Sequence, residues 1–333
     1  MGLGLLRAGR SDGLYSPQIA RLMATRVFID GAAGTTGLEI HERLAGRDAF
    51  DVVVLDDAMR KDAAARADAL NGADIAILCL PDDAAREAVA LVEESSATRI
   101  IDASSAHRTA NGWTYGFPEL VGRRSVASAA RVSNPGCYPT GFLALLAPLI
   151  RARLLPADAP YSVNAVSGFS GGGNAMIDRY DSDRGISFRT YALDLSHKHL
   201  PEMQQQAGLE FPPVFAPAVV PAYRGMLVEV PLSLPAIQNS TSADAIVGAL
   251  KDFYAETALV RVHETVPPEL VIRRDDTAND GLDLYVARSP DGTQVRLIAT
   301  LDNLGKGASG AVVQSLNLMT GQPETDGLRL PDN

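Results

Sequence analysis

Arg26-Val-Phe-Ile-Asp-Gly31-Ala-Ala-Gly34-Thr-Thr-Gly37-Leu38 is the stretch whose reading decides the fold. Arg26–Asp30 has the short apolar run of a buried strand, and Leu38–Leu44 has the character of a helix. Glycines at 31, 34 and 37 fill the turn between them. Glycines here allow a tight turn, close approach of backbone to a pyrophosphate, and close packing of helix on strand. The helix start then offers unpaired N–H groups to an anion, and Thr35 and Thr36 add hydroxyl donors. The spacing is G-x-x-G-x-x-G, not the dinucleotide pattern G-x-G-x-x-G. Position therefore carries the argument. Gly31, Gly34, Thr35, Thr36 and Gly37 follow the first strand of an alternating pattern, where a dinucleotide is expected.

That pattern continues outward. Val52–Leu55, Asp74–Leu80 and Arg99–Asp102 read as strands, with helices over Lys61–Leu70 and Asp82–Glu94 between them. Strand–helix alternation with apolar strands predicts a Rossmann-like, doubly wound parallel sheet covered on both faces. The rhythm changes at Asn134–Tyr138. A helix is expected there, with Pro139 in its first turn, running through Phe142–Ile150. An α+β unit should follow, with strands at Tyr161–Val166, Phe215–Val220, Met226–Leu232, Val260–Val262, Leu284–Arg288 and Gln294–Thr300. Helices are expected near Leu200–Ala207 and Ala243–Glu256, beside a mixed or antiparallel sheet. The amphipathic stretch Gly307–Met319 is expected to return to the first sheet. Residues 23–138 and 302–333 then form a dinucleotide-binding domain, and 139–301 a catalytic and dimerisation domain. Residues 1–22 lack the apolar core of a signal peptide and read as an extension ahead of Met23.

Bulk composition narrows the function. A chain of 333 residues with 46% hydrophobic and 21% charged residues suits a soluble two-domain protein. A net charge of −10 argues against nucleic acid as partner, but not against small anions met by a few placed cations. No apolar run of about 18 residues is present, so no membrane span is expected. The two cysteines, Cys79 and Cys137, imply no disulfide framework, and a reducing cytoplasm is the natural compartment.

The two cysteines differ in setting. Cys79 ends an apolar strand and reads as structural. Cys137 lies in Ser133-Asn134-Pro135-Gly136-Cys137-Tyr138-Pro139-Thr140, at a helix start whose dipole should lower the thiol pKa. Backbone N–H groups and the Asn134 amide are candidate donors to an oxyanion. A thiolate needs an acid–base partner, and Ser196-His197-Lys198-His199-Leu200-Pro201-Glu202 supplies two histidines and a cation. His41 and His263 read as surface or structural, and no metal site is expected. Ser104 and Arg108, in the loop after the fourth strand, are candidate substrate ligands, with Arg108 suited to a carboxylate. The loop Ser167–Asn174, with Gly171 at its centre, can cradle a phosphate or cover a nicotinamide. Asp56 and Asp57 end the second strand, where an acid accepts from the ribose of NAD. Arg60 and Lys61 follow, and would instead neutralise the 2′-phosphate of NADP.

The pieces IDGAAGTTGLEI, CLPDDAAREAV, DASSAHR, YGFPEL, SNPGCYPTG, VSGFSGGG, HKHLPEM and LDNLGKGASGAVVQSLN run from Ile29 to Asn317. In them the chain resembles the N-acetyl-gamma-glutamyl-phosphate reductases of arginine biosynthesis, in their shorter bacterial form. The resemblance implies a fold like that of aspartate-semialdehyde and glyceraldehyde-phosphate dehydrogenases. The strand-rich second domain offers an assembly surface, and a homo-oligomer (dimer or tetramer) is expected. The resemblance also implies NADP, which favours Arg60 and Lys61 as cofactor ligands, and places Asn303 and Lys306 at the nicotinamide. Cys137 becomes the nucleophile and His199 the acid–base group. His197, Arg108 and Lys198 then handle the substrate and its phosphate. The implied reaction reduces N-acetyl-glutamyl 5-phosphate to the 5-semialdehyde through a cysteine thioester. A sister dehydrogenase acting on aspartyl phosphate, or on a lysine-pathway acyl phosphate, is the alternative.

Overall fold

Six parallel strands build the first sheet of the computed structural model, which describes residues 24–237 and 241–330. The extension 1–22 lies outside the described residues. In chain order the elements are β1 (Thr25–Asp30), α1 (Thr35–Leu44), β2 (Phe50–Val53), α2 (Ala63–Asn71), β3 (Ile75–Leu78), α3 (Asp82–Ala90), β4 (Arg99–Asp102) and β5 (Thr114–Tyr115). Two short helices, α4 (Pro118–Val121) and α5 (Arg123–Ser128), lead to β6 (Arg131–Ser133). The order across the sheet is β2-β1-β3-β4-β6-β5. Strand β3 is apolar along its length and β4 is apolar at its centre, Ile100 and Ile101, as expected of a parallel sheet covered on both faces.

Helix α6 (Cys137–Arg151) leaves this sheet and runs along the second. Twelve of its fifteen residues are buried, so it is a core helix, apolar nearly all round. The chain then makes β7 (Ser162–Gly168), a 3-10 turn (Phe169–Gly172), α7 (Asn174–Ser182), β8 (Arg189–Thr190), α8 (Leu200–Ala207), β9 (Val214–Val220), β10 (Met226–Ser233), α9 (Ala243–Tyr254), β11 (Val260–Val262), β12 (Leu282–Arg288) and β13 (Gln294–Leu301). The seven strands are ordered β11-β12-β13-β10-β7-β9-β8. Pairs β11/β12 and β7/β9 are parallel and the others antiparallel, so the sheet is mixed. Every strand expected in this unit is present within two residues of its expected bounds. Strands β5, β6 and β8, two or three residues each, were not foreseen: unlike Val-Arg-Val of β11, none carries apolar residues two apart.

A π-helical turn (Gly305–Ser309) joins β13 to α10 (Gly310–Thr320). Val312, Val313, Leu316 and Met319 of α10 pack with Val27, Ile29, Ile77 and Ile101 of the first sheet. The first sheet's core is therefore completed from the far end of the chain. A buried ionic network ties the two sheets together. Arg43 of α1 pairs with Asp280 at 2.5 Å, while Arg224 bridges Glu39 of α1 and Asp302 beyond β13.

Candidate active site

Strand β6 ends at Ser133, and the next four residues deliver Cys137 to the first position of α6. This is the carboxyl edge of the parallel sheet, where open α/β folds collect their ligands. The Asn134 N–H donates to the carbonyl of Asp102 at 2.7 Å, pinning the loop to β4. From the other side comes the start of α8, with His199 at its cap and Glu202 in its first turn. Glu202 is buried and accepts from the Gly136 N–H (2.8 Å), the Tyr115 hydroxyl (2.7 Å) and Arg108 Nη1 (3.0 Å). One carboxylate thus fixes the nucleophile loop, the guanidinium and α8 together.

Gly136 shows how tight the arrangement is. A Cβ there would lie 2.6 Å from Arg108 Nη1 and 2.7 Å from His199 Nε2. Only a glycine lets both groups stand against the residue before the nucleophile. His197 adjoins His199, with ring centroids 4.7 Å apart, and its Nδ1 accepts from the His199 N–H at 3.1 Å.

The charge states differ from what a helix start alone predicts. Burial pushes the Cys137 thiol up to about 11, against the lowering effects of Arg108 and of the Tyr138 N–H. Burial also takes the His199 imidazole well below its ordinary value, helped by Arg108, His197 and Lys198. His197 falls to about 4 through burial and the nearby Lys198. At neutral pH the site therefore holds a neutral thiol and a neutral imidazole, not a thiolate–imidazolium pair. Desolvation outweighs the dipole because both charged forms would lose water. Cys79, just past β3, is raised to about 12 by burial, Asp102 and Asp30. An unreactive thiol is consistent with a structural role.

Cys137, Asn134, Arg108, His197, Lys198 and His199 line one cavity of about 570 Å³. Gly34, Thr35, Thr36 and Gly37 of the glycine loop, together with Gly171 and Asn303, line it too. A second cavity of about 720 Å³ adjoins it at Leu80 and takes in Gly31, Asp56, Asp57, Arg60 and Lys61. Gly31 has φ +89°, and a Cβ on it would sit 2.3 Å from the Cys79 carbonyl oxygen. The loop can therefore lie flat on β3 only with glycine at this position.

Three buried polar atoms at the first cavity have no protein partner: Asn134 Oδ1, His199 Nδ1 and Asn303 Oδ1. Such atoms are costly unless a ligand meets them. Asn303 Nδ2 meanwhile donates to Ser170 Oγ at 2.9 Å, holding the Gly171 turn beside it. In the second cavity, Asp56 Oδ1 accepts from the N–H groups of Ala58 and Met59, closing its own turn. Arg60 pairs with the exposed Asp57.

Three expectations are corrected. Ser104 does not line the cavity: its hydroxyl donates to the buried Asp102 Oδ2 at 2.8 Å and accepts from the Ala106 N–H at 3.1 Å. Lys306 does not face the nicotinamide side. It is buried within the π turn, donating to Glu119 (2.7 Å) and Gln314 (2.6 Å), because an ammonium inside a protein needs such partners. The Asn134 side-chain nitrogen donates to the Ala308 carbonyl at 3.2 Å, so this amide presents an acceptor where an oxyanion donor was expected. Glu202 was overlooked: an acid in a first helical turn is ordinary dipole complementation, and nothing local marks it as buried. Among the described residues no group of three or more potential metal ligands occurs, and no helix is long and apolar enough to cross a membrane.

The arrangement is that of the semialdehyde dehydrogenases. Aspartate semialdehyde dehydrogenase II from Vibrio cholerae superposes with TM-score 0.65 at 18% identity, over 90% of this chain and 99% of that one. The enzyme from Francisella tularensis does so with TM-score 0.65 at 14% identity, over 89% and 99%. Residues 137–303 match the family described as semialdehyde dehydrogenase, dimerisation domain, and residues 58–129 match semialdehyde dehydrogenase, NAD binding domain. Within that class, the N-acetyl-gamma-glutamyl-phosphate reductase of Trichormus variabilis is 49% identical over 321 residues, covering 91% of this chain and 99% of its own. N-acetyl-gamma-glutamyl-phosphate reductase 2 of Pseudomonas putida is 47% identical, covering 90% and 98%. The chain belongs to the N-acetyl-gamma-glutamyl-phosphate reductase family.

Proposed function

We propose that this protein reduces N-acetyl-glutamyl 5-phosphate to N-acetyl-glutamate 5-semialdehyde with NADP as cofactor, through a thioester on Cys137. One observation carries the reading: the thiol, a neutral buried imidazole and the glycine loop share a single cavity. As the Cys137 sulfur attacks the acyl carbon, its proton passes to His199. The carbon–oxygen bond to phosphate then breaks, with Arg108 and Lys198 receiving the anion. N–H groups in the first turn of α6 are free of helical partners and serve as oxyanion donors. The departing phosphate takes up the solvent proton that the reduction consumes. When bound, the cofactor supplies the hydride that reduces the thioester. His199 returns its proton to sulfur as the thiohemiacetal collapses, and His197 supports it through the N–H to Nδ1 contact.

The residues fit a dinucleotide. Gly31, Gly34 and Gly37, with Thr35 and Thr36, would hold the pyrophosphate. The unpartnered Asn303 Oδ1 suits the nicotinamide amide, beside Gly171. Asp56 already serves its own turn; Lys61, with Arg60 drawn from the exposed Asp57, would meet a 2′-phosphate, which supports NADP over NAD. We infer a cytoplasmic homo-oligomer, dimer or tetramer, assembled through the second sheet.

The assay is NADPH formation from N-acetyl-glutamate 5-semialdehyde, phosphate and NADP. Expected are robust turnover, far lower rates with aspartate semialdehyde, and a loss of at least about 1000-fold in Cys137→Ser. A folded Cys137→Ser protein with near-normal turnover sinks the covalent route. Preference for aspartate semialdehyde overturns the substrate.

A further inference from the structure

Three cations line the Cys137 cavity, Arg108, Lys198 and Arg189, and no carboxylate does. In a chain of net charge −10, that concentration marks a site for a ligand with more than one negative group. The three differ in how they are held. Arg108 is neutralised from behind by Glu202 at 3.0 Å and stands against the nucleophile loop. Lys198 is exposed and lies in the field of Asp82. Arg189 has no ion pair among the described residues, although it is partly buried.

Arg189 sits on edge strand β8, paired opposite Val219 of β9, which lines the same cavity. Its guanidinium stacks 4.7 Å from the centre of the Tyr191 ring. Tyr191 in turn packs on His197, with centroids 5.6 Å apart. Stacking holds the guanidinium plane and leaves its N–H edges free for a planar, two-oxygen acceptor. The second sheet thus contributes a preorganised cation distinct from the pair beside the reacting sulfur.

We propose that Arg189 binds the α-carboxylate of the substrate and selects acyl chains that carry a carboxylate remote from the reacting carbonyl. This rests on the function proposed above. Arg108 and Lys198 are left for the phosphate, so the two anionic ends of one substrate meet different walls of the cavity.

The test compares N-acetyl-glutamate 5-semialdehyde with 4-acetamidobutanal, the same aldehyde without its carboxylate, in wild type, Arg189→Met and Arg189→Lys. Wild type should lose roughly 10- to 100-fold in kcat/KM on removal of the carboxylate. Arg189→Met should lose about as much with the full substrate, mainly in its KM, and should scarcely distinguish the two aldehydes. Its KM values for phosphate and NADP should stay within about twofold. Arg189→Lys should recover part of the discrimination, since charge returns without the fork. Full discrimination retained in Arg189→Met overturns the assignment, as does a rise confined to the phosphate KM. Wild type inactive on both aldehydes overturns the proposed function itself.

Discussion

The Cys137 thiol and the two histidines hold a proton arrangement that can be titrated. With the thiol pushed up to about 11, alkylation by iodoacetamide should be slow at pH 7 and rise about tenfold per pH unit until near pH 11. A Cys79→Ser background isolates the signal. A plateau reached by pH 8 would show instead a thiolate formed in the free protein. Histidine burial has a stability consequence of definite sign. His197 is held at about 4 in the folded chain, whereas an unfolded histidine titrates near 6.5. Between those values the unfolded state binds a proton that the folded state refuses. Its contribution to stability is therefore complete above about pH 6.5 and is lost as pH falls towards 4. His197→Asn should flatten the decline in urea midpoint between pH 7 and pH 5; parallel declines would count against it.

At the level of elements, the glycine loop is the most constrained piece. Gly31→Ala combines a left-handed backbone with a contact of 2.3 Å to the Cys79 carbonyl oxygen, and backbone cannot yield as a flexible side chain can. A loss of at least about 2 kcal/mol is expected, together with weakened NADP binding in calorimetry. Unchanged binding would remove the loop from the cofactor site. The same elements show what could be read in advance. Strands β1, β3, β10 and β13 were legible because each buries four or more residues in an apolar or alternating run. The glycine loop, SNPGCYPTG and HKHLPE stood out because their residue types serve chemistry better than packing. What these motifs did not show is how Glu202 and Lys306 are partnered. Their roles depend on partners far away in sequence, Arg108 and Tyr115 for the first, Glu119 for the second. The thiol's ionisation departs from the sequence expectation because a helix start is visible in sequence and desolvation is not.

Across the whole molecule, the Arg43–Asp280 pair distinguishes a buried bridge from a surface one. Asp280→Ala leaves a guanidinium enclosed between the sheets without its nearest carboxylate, a loss of about 3 kcal/mol or more. The exposed Arg288–Asp244 pair makes the control, where Asp244→Ala should cost under about 1 kcal/mol. Urea midpoints decide it, and equal losses would show the Arg43–Asp280 pair to matter no more than a surface bridge. The last helix has a different consequence. Because Val312, Val313, Leu316 and Met319 fill the first sheet's core, a ribosome that has made β1 to β6 has not yet made the residues that seal them. The nascent first unit must wait, with apolar surface uncovered, while the whole second unit is synthesised. Chaperone demand should consequently peak midway through translation and end only when α10 clears the exit tunnel.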